Sequence, residues 1–404
     1  MGRNQKIAFV APRHGPGVIG GAEAVIGEAA RGFSARGWDV EILTTCAIDH
    51  FTWKNEFPPG VSAEDGIVIR RFPAVISTAR ATRQRVEAAI HAGHEITLEY
   101  QSLWMNDDVR VPDLYHHLLA HGRDYRAVVF APYLFWPTFA GAQVCPERTI
   151  LMPCFHDEPY VRLELFRPLF SGVRGLWFLS EPERDAAQRY FRLPPRHAVT
   201  GAGVPVPASY DPDGFRARHG ITTPYVLYAG RREGGKRWEW LLDAFAAAVH
   251  QHDLPLSLLT VGFGEVRPPT SIADRVIDLG FVSDDERNDA IAAASAYVQP
   301  SSNESFSRTV MEAWLAGTPV LAYGASEVVS WHVERADAGL TFDDEAELSQ
   351  CLRFIADQPA VARELAGSGR QYVLDNYQWD GVLDRMERSV EEWLPESEAI
   401  ACAS

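Results

Sequence analysis

Two glutamates, Glu304 and Glu312, are separated by seven residues in the stretch Pro300-Ser-Ser-Asn-Glu-Ser-Phe-Ser-Arg-Thr-Val-Met-Glu-Ala-Trp-Leu-Ala-Gly-Thr-Pro-Val-Leu-Ala322. The pattern reads as a loop with one carboxylate, a polar Ser305-Phe306-Ser307 turn, then a helix with a second carboxylate. Small and polar residues at a helix start leave backbone N–H groups open to an anion, and the helix dipole favours negative charge there. Carboxylates accept hydrogen bonds from neighbouring hydroxyls. An anion flanked by two diols describes a nucleotide sugar. Plainer readings share the same residues. Thr309-x-x-Glu312 fits a helix capping box, and Arg308 with Glu312 fits a solvated i,i+4 pair. Phe306, Val310, Ala313, Trp314 and Gly317 fall on one helical stripe; Glu312 lies off it and is not forced into the core.

A second glycine pattern points elsewhere. Gly15-Pro-Gly-Val-Ile-Gly20 matches G-x-G-x-x-G after a strand, the spacing of a dinucleotide site. Arg13 and His14 delay the turn, Pro16 restricts it, and the next strand ends Ile-Leu-Thr-Thr-Cys46 with no carboxylate to hold a ribose. The dinucleotide reading is therefore set aside.

These residues need elements to place them. Lys6–Pro12 is a short apolar run, as for a buried parallel strand, followed by a helix near Ala22–Arg36 and a strand over Gly37–Thr44. Further strands are predicted at Gly66–Phe72, Ala127–Ala131, Thr149–Met152 and Gly175–Leu179. Residues 80–122 read as a helical insertion in which Arg83, Arg85 and the aromatics around Trp104 could line an acceptor groove or simply pack. Gly201–Gly214, rich in Pro, Gly and Asp, reads as a linker. A second strand–helix alternation follows, with strands at Tyr225–Gly230, Leu256–Gly262, Val276–Leu279, Ala296–Gln299 and Pro319–Ala322, and a helix at Trp238–His250. The chain is predicted to be α/β, with two Rossmann-like, doubly wound parallel-sheet domains over 1–204 and 205–380.

The Glu-x7-Glu stretch resembles the signature of the retaining GT-B glycosyltransferases of family 4, and the chain is similar to that family in outline from end to end. Gly230-Arg-Arg-Glu-Gly-Gly-Lys236 resembles the family's Gly-Arg-x4-Lys element. The resemblance implies a GT-B fold whose two domains face a central cleft, with a last helix over 381–396 crossing back to the first domain. It implies that Arg231 and Lys236 neutralise the departing diphosphate. Glu304 would hold sugar hydroxyls and Glu312 the ribose diol, while the amides of Phe306 and Ser307, beside Ser305, hold the diphosphate. Gly262, Phe281 and Val282 would wall the nucleotide. From the first domain, Gly20 and Gly21 would let the backbone approach the donor, and His156, with Asp157 orienting its ring, would reach the sugar. Ser305 and Ser307 replace the family's usual glycines, and serine disfavours positive φ.

The implied activity is transfer of a sugar from a nucleoside diphosphate donor to an acceptor hydroxyl with retention. It needs no cofactor and no metal, because the cations do that work. The acceptor would be a saccharide, a glycolipid or a small molecule. A sugar-nucleotide epimerase, a phosphorylase and a non-catalytic nucleotide-sugar-binding subunit are the alternatives.

Composition sets bounds. The 404 residues are 46% hydrophobic and 11% aromatic, enough for two cores, and the net charge of −16 opposes nucleic-acid binding. Five scattered cysteines without a Cys-x-x-Cys pair suit a reducing compartment. No signal segment or long apolar run is evident. The expectation is a cytoplasmic protein with, at most, peripheral contact at the inner membrane surface.

Overall fold

A computed structural model describes residues 5–77, 80–107 and 109–395. Expectations resting on residues 1–4, on Cys402 and on position 396 lie outside them. The chain forms two compact units. One runs to Gly203 and is rejoined by the chain from Trp379; the other is Val204–Gln378.

The first unit is built on an eight-stranded sheet. Its strands are β1 (Lys6–Val10), β2 (Asp39–Thr45), β3 (Gly60–Glu64), β4 (Ile67–Phe72), β7 (Ala127–Phe130), β8 (Thr149–Leu151), β9 (Gly175–Phe178) and β10 (His197–Val199), in the order β10-β9-β8-β7-β1-β2-β4-β3. A separate two-residue pairing joins β5 (Val75–Ile76) to β6 (Val109–Arg110). Ile7 to Val10 are wholly buried, as expected for a strand covered on both faces. All the sheet's pairings are parallel except β3–β4. That hairpin turns at Asp65-Gly66, both at positive φ, the dipeptide suited to a tight hairpin. Strand β3 was not anticipated, because every residue of Gly-Val-Ser-Ala-Glu is exposed and no apolar alternation marks it.

The predicted insertion over 80–122 proves to be two things. Helices Arg80–His91 and Leu98–Asn106 pack on each other. Helix Pro112–His121 is instead the crossover into β7, with Leu114 and Leu118 in the main core.

The last helix, Trp379–Trp393, belongs to this first unit. Val382, Leu383, Met386, Val390 and Trp393 are its buried face. Glycines make room for it: a Cβ on Gly203 would stand 2.1 Å from Trp379, on Gly32 2.4 Å from Leu383, and on Gly175 2.4 Å from Trp393. Arg36 clamps it through Asp384 at 2.7 Å and Glu387 at 3.0 Å.

The second unit has six parallel strands: β11 (Tyr225–Ala229), β12 (Ser257–Val261), β13 (Val276–Asp278), β14 (Ala296–Gln299), β15 (Val320–Tyr323) and β16 (Leu340–Phe342). Their order is β13-β12-β11-β14-β15-β16. The strand order changes its direction of progress across the sheet between β11 and β14, while every strand stays parallel. In open parallel sheets a crevice forms at the carboxyl ends of the strands at such a point.

Among the described residues no helix is long and apolar enough to cross a membrane.

Candidate active site

The crevice between β11 and β14 is flanked by the two loops that the sequence singled out. The loop after β11 carries Gly230 to Lys236; the loop after β14 carries Pro300 to Ser307. Tyr228 donates its hydroxyl to the Arg231 carbonyl at 2.6 Å and so fixes the first loop. Burial, with Glu304 and Glu233 nearby, raises the Tyr228 phenol and keeps it a donor. The two loops meet at one ion pair: Lys236 Nζ lies 2.7 Å from Glu304 Oε1, with both side chains largely covered.

Ser307 begins the helix Arg308–Leu315 and sits in the left-handed region at φ 63°. It thus takes up the conformation for which glycine is the easier residue. Gln299, at the end of β14, donates to its Oγ at 2.7 Å and holds it there. The Ser307 side chain is thereby spent, and no side chain caps the helix. The helix begins at Arg308, so the Thr309-x-x-Glu312 capping box does not form. Thr309 accepts from Tyr297 instead, at 2.8 Å. The Val310 amide bonds the Ser307 carbonyl at 3.1 Å.

Glu312 differs from the sequence reading. It is buried, and its Oε1 accepts from Arg287 at 3.1 Å and lies 3.3 Å from Arg308. The pair with Arg308 is real but not solvated, and Arg287 is a partner the sequence reasoning missed. No spacing rule marks Arg287, which comes from the helix Asp284–Ala293.

Arg231 is not brought to the Lys236–Glu304 pair by any contact. It is exposed and reaches Glu233 at 3.2 Å. Its neighbour Arg232, also missed, turns inward. It donates to the Gly264 carbonyl at 2.8 Å, to Thr260 at 3.1 Å and to Asp278. Burial lowers its pKa despite Asp278. Arg232 thus braces three loop ends. Two adjacent arginines at a strand end signalled that one faces in, but not which.

Gly262 is explained by backbone packing: at φ 133°, a Cβ there would meet the Gly230 carbonyl at 2.0 Å. Phe281 and Phe263 stack at 4.9 Å at the carboxyl ends of β13 and β12, and both are exposed, Phe281 by 61%. Val282 beside them is half-buried.

The remaining candidates belong to the first unit. Gly20 leaves room for the Glu23 carboxylate: a Cβ there would stand 2.0 Å from it, and Glu23 pairs with buried Arg13. Gly21 opens the helix Gly21–Ala35 and a Cβ there would meet nothing, so it leaves that helix end approachable. His156 follows β8. Its expected partner Asp157 is engaged elsewhere, accepting from Tyr190 at 2.8 Å. The nearest carboxylate is Glu158, 3.7 Å from Nδ1 and itself accepting from Tyr133 at 2.6 Å. Asp157 therefore does not orient the ring.

Trp104 is core: it is buried and stacks on Tyr160 at 5.2 Å. Arg83 lies over it at 5.3 Å. A cavity of about 180 Å³ opens beside it, lined by Phe51, Trp53, Ile76, Arg83, Gln84 and Asp107 among others. No cluster of three or more His, Cys, Asp or Glu side chains suited to a metal ion occurs among the described residues.

Residues 223–358, which carry this crevice, match the family described as glycosyl transferases group 1. Over its whole length the fold resembles sucrose-phosphate synthase from Thermosynechococcus elongatus, with TM-score 0.71, 18% identity and coverage of 99% of this chain and 100% of that one. It also resembles Anabaena HepE in complex with UDP-glucose, with TM-score 0.70, 17% identity and coverage of 96% and 99%. The fold is that of the GT-B glycosyltransferases. Relatives by sequence include a D-inositol 3-phosphate glycosyltransferase of Streptomyces avermitilis, 26% identical over 91% of this chain and 82% of that protein. A 2-deoxystreptamine glucosyltransferase of Streptomyces kanamyceticus is 26% identical over 48% of this chain; the match spans about half of that relative's length, 52%.

Proposed function

We propose that the protein transfers a sugar from a nucleoside diphosphate sugar to an acceptor hydroxyl, with retention of anomeric configuration and without a metal ion. The observation that carries the reading is the Lys236–Glu304 pair, 2.7 Å apart at the head of an uncapped helix in the strand-order crevice. The donor diphosphate would lie on the amides of Phe306 and Ser307. Lys236 would exchange part of its bond with Glu304 for the phosphate oxygens, whose charge grows as the sugar leaves. Glu304, so released, would accept from sugar hydroxyls. Arg231, exposed and paired with Glu233, would swing onto the same phosphates.

Glu312, paired with Arg287 and Arg308, would take the ribose, and the exposed Phe263–Phe281 pair the base. On this reading a leaving phosphate oxygen takes the acceptor proton on the face it departs from, which gives retention. The 180 Å³ cavity beside Arg83 and Gln84 is smaller than an ordinary ligand pocket of about 300–1,000 Å³. It would take part of a polar acceptor, such as one ring of a saccharide, glycolipid or small polyol. His156 is the first unit's candidate for contact with the transferred sugar.

A thermal-shift panel of nucleoside diphosphates and their sugars tests the donor site. A matching donor at 100 times its Kd contributes about 2.7 kcal/mol. A panel without any shift would remove the reading. Proton NMR of the first-formed product reads the anomer, and an inverted centre would remove retention. Incubation with donor alone distinguishes an epimerase, and turnover lost in Glu304→Ala while nucleotide still binds excludes a binding-only subunit.

A further inference from the structure

Behind the donor loop stands a group of polar aromatics that the scheme above does not use. His332, in the helix Glu327–Ala336, is wholly buried. Its Nδ1 is 2.9 Å from the Tyr372 hydroxyl, which lies 3.1 Å from the Tyr377 hydroxyl. Its Nε2 is buried without a hydrogen-bond partner among the described residues. A phenyl ring of similar size would avoid that unsatisfied nitrogen, so filling space does not account for the imidazole.

Two members of the group, His332 and Tyr377, pack on Phe306, and half-buried Tyr372 links them through its hydroxyl. The Phe306 ring meets His332 edge to face at 5.5 Å and 87°, and Tyr377 at 4.9 Å and 80°. Phe306 is itself buried, the apolar peg of an otherwise polar loop. Ser307, next in the chain, holds its left-handed turn, and the helix starts one residue later. A peg fixed on two faces sets where those two amides point. Tyr377 is anchored in turn: its carbonyl accepts from the Val204 amide at 2.8 Å, so the first and last segments of this unit are tied where the ring packs.

We infer that His332, Tyr372 and Tyr377 are positioning residues, gripping Phe306 so that the amides of Phe306 and Ser307 are held ready for the donor diphosphate. The inference rests on the donor reading given above. It separates diphosphate recognition from base recognition, because the amides meet only the phosphates, whereas Phe263 and Phe281 lie at other strand ends.

The test uses the full chain with Tyr372→Phe and His332→Phe. Affinities for UDP, GDP and ADP are measured by calorimetry, and for the parent nucleosides by ligand-observed NMR, alongside Tm and initial rates. The expected result is at least fivefold weaker binding of whichever diphosphate the unaltered protein takes. Its nucleoside should bind within twofold, and the acceptor KM should stay unchanged. Unaltered diphosphate affinity with a lowered Tm would overturn the inference and leave the group as core packing. Equal loss of nucleoside and diphosphate would overturn it too. If His332→Phe does not fold, Tyr372→Phe, which deletes one hydroxyl, decides alone. If the unaltered protein binds none of the three diphosphates, the donor reading fails first and this inference falls with it.

Discussion

Lys236 and Glu304 neutralise each other, and each is covered enough for removal of either to be felt by the other. Lys236→Ala leaves Glu304 with its charge and without its partner, and removes one donor from the developing phosphate charge. Losing one such preorganised donor costs about 10²–10³ in kcat, and that drop is expected in initial-rate assays at saturating donor. Ser307 sets strain against a hydrogen bond. A left-handed non-glycine residue costs about 1–2 kcal/mol. Ser307→Gly relieves it but forfeits the bond from Gln299, about 0.5–1.5 kcal/mol, and adds the chain entropy of glycine, about 0.5–1 kcal/mol. The contributions nearly cancel. Urea denaturation is expected to shift by under about 1 kcal/mol, while diphosphate affinity changes because Gln299 no longer fixes the turn.

At the level of elements, on the proposed reading the strand ends of the second unit would divide the donor between them. The β12 and β13 ends present Phe263 and Phe281, the β11 end presents Lys236, and the β14 end presents the helix amides. Base stacking on an aromatic is worth about 1–3 kcal/mol, so Phe281→Ala should weaken nucleotide binding about 5- to 150-fold in calorimetry. Stability should barely change, since the ring is 61% exposed. Much of this arrangement was legible in the sequence. Tyr225–Ala229 and Ala296–Gln299 are short apolar runs that end in glycine or polar loops, and parallel strands buried on both faces read that way. The loop after β14 was singled out by the Glu304–Glu312 spacing. What stayed hidden was partner choice. Nothing local says that Glu312 takes Arg287 from another helix, that Asp157 goes to Tyr190, or that Arg232 rather than Arg231 turns inward. Such pairings are settled by packing between elements distant in sequence. Strand β3 stayed hidden for the opposite reason, having no buried face to imprint a pattern.

On the scale of the whole molecule, the two units should answer pH differently. Burial, aided by Arg31 and Arg71, lowers His14 to about 4. Burial and Arg70 lower His117 to about 4. Burial and Arg335 lower His332 to about 3. Each histidine binds its proton more readily unfolded, so each contribution is intact above 6.5 and is lost as pH falls toward 4 or 3. Glu183 runs the other way. Wholly buried, it accepts from the Phe155 and Leu179 amides, and burial pushes it up to about 8. It keeps its proton in the fold where the unfolded chain has lost it, so stability falls as pH rises from 4.5 to 8. His14, His117 and Glu183 belong to the first unit and His332 to the second. Unfolding followed by probes in each unit should therefore show the first weakening on both sides of pH 6.5 and the second weakening only in acid. Glu183→Gln should flatten the first unit's decline between pH 6.5 and 8.

Because the helix Trp379–Trp393 seats in the glycine-floored sites of Gly32, Gly175 and Gly203, the first unit cannot finish assembling until that helix has been made. Domains made from an uninterrupted stretch fold as they emerge. Here Val204–Gln378 is that stretch, so it should mature ahead of the lobe that precedes it. A chain truncated after Gln378 should hold a protease-resistant second lobe beside a still-cleavable first one, and restoring the helix Trp379–Trp393 should close that window.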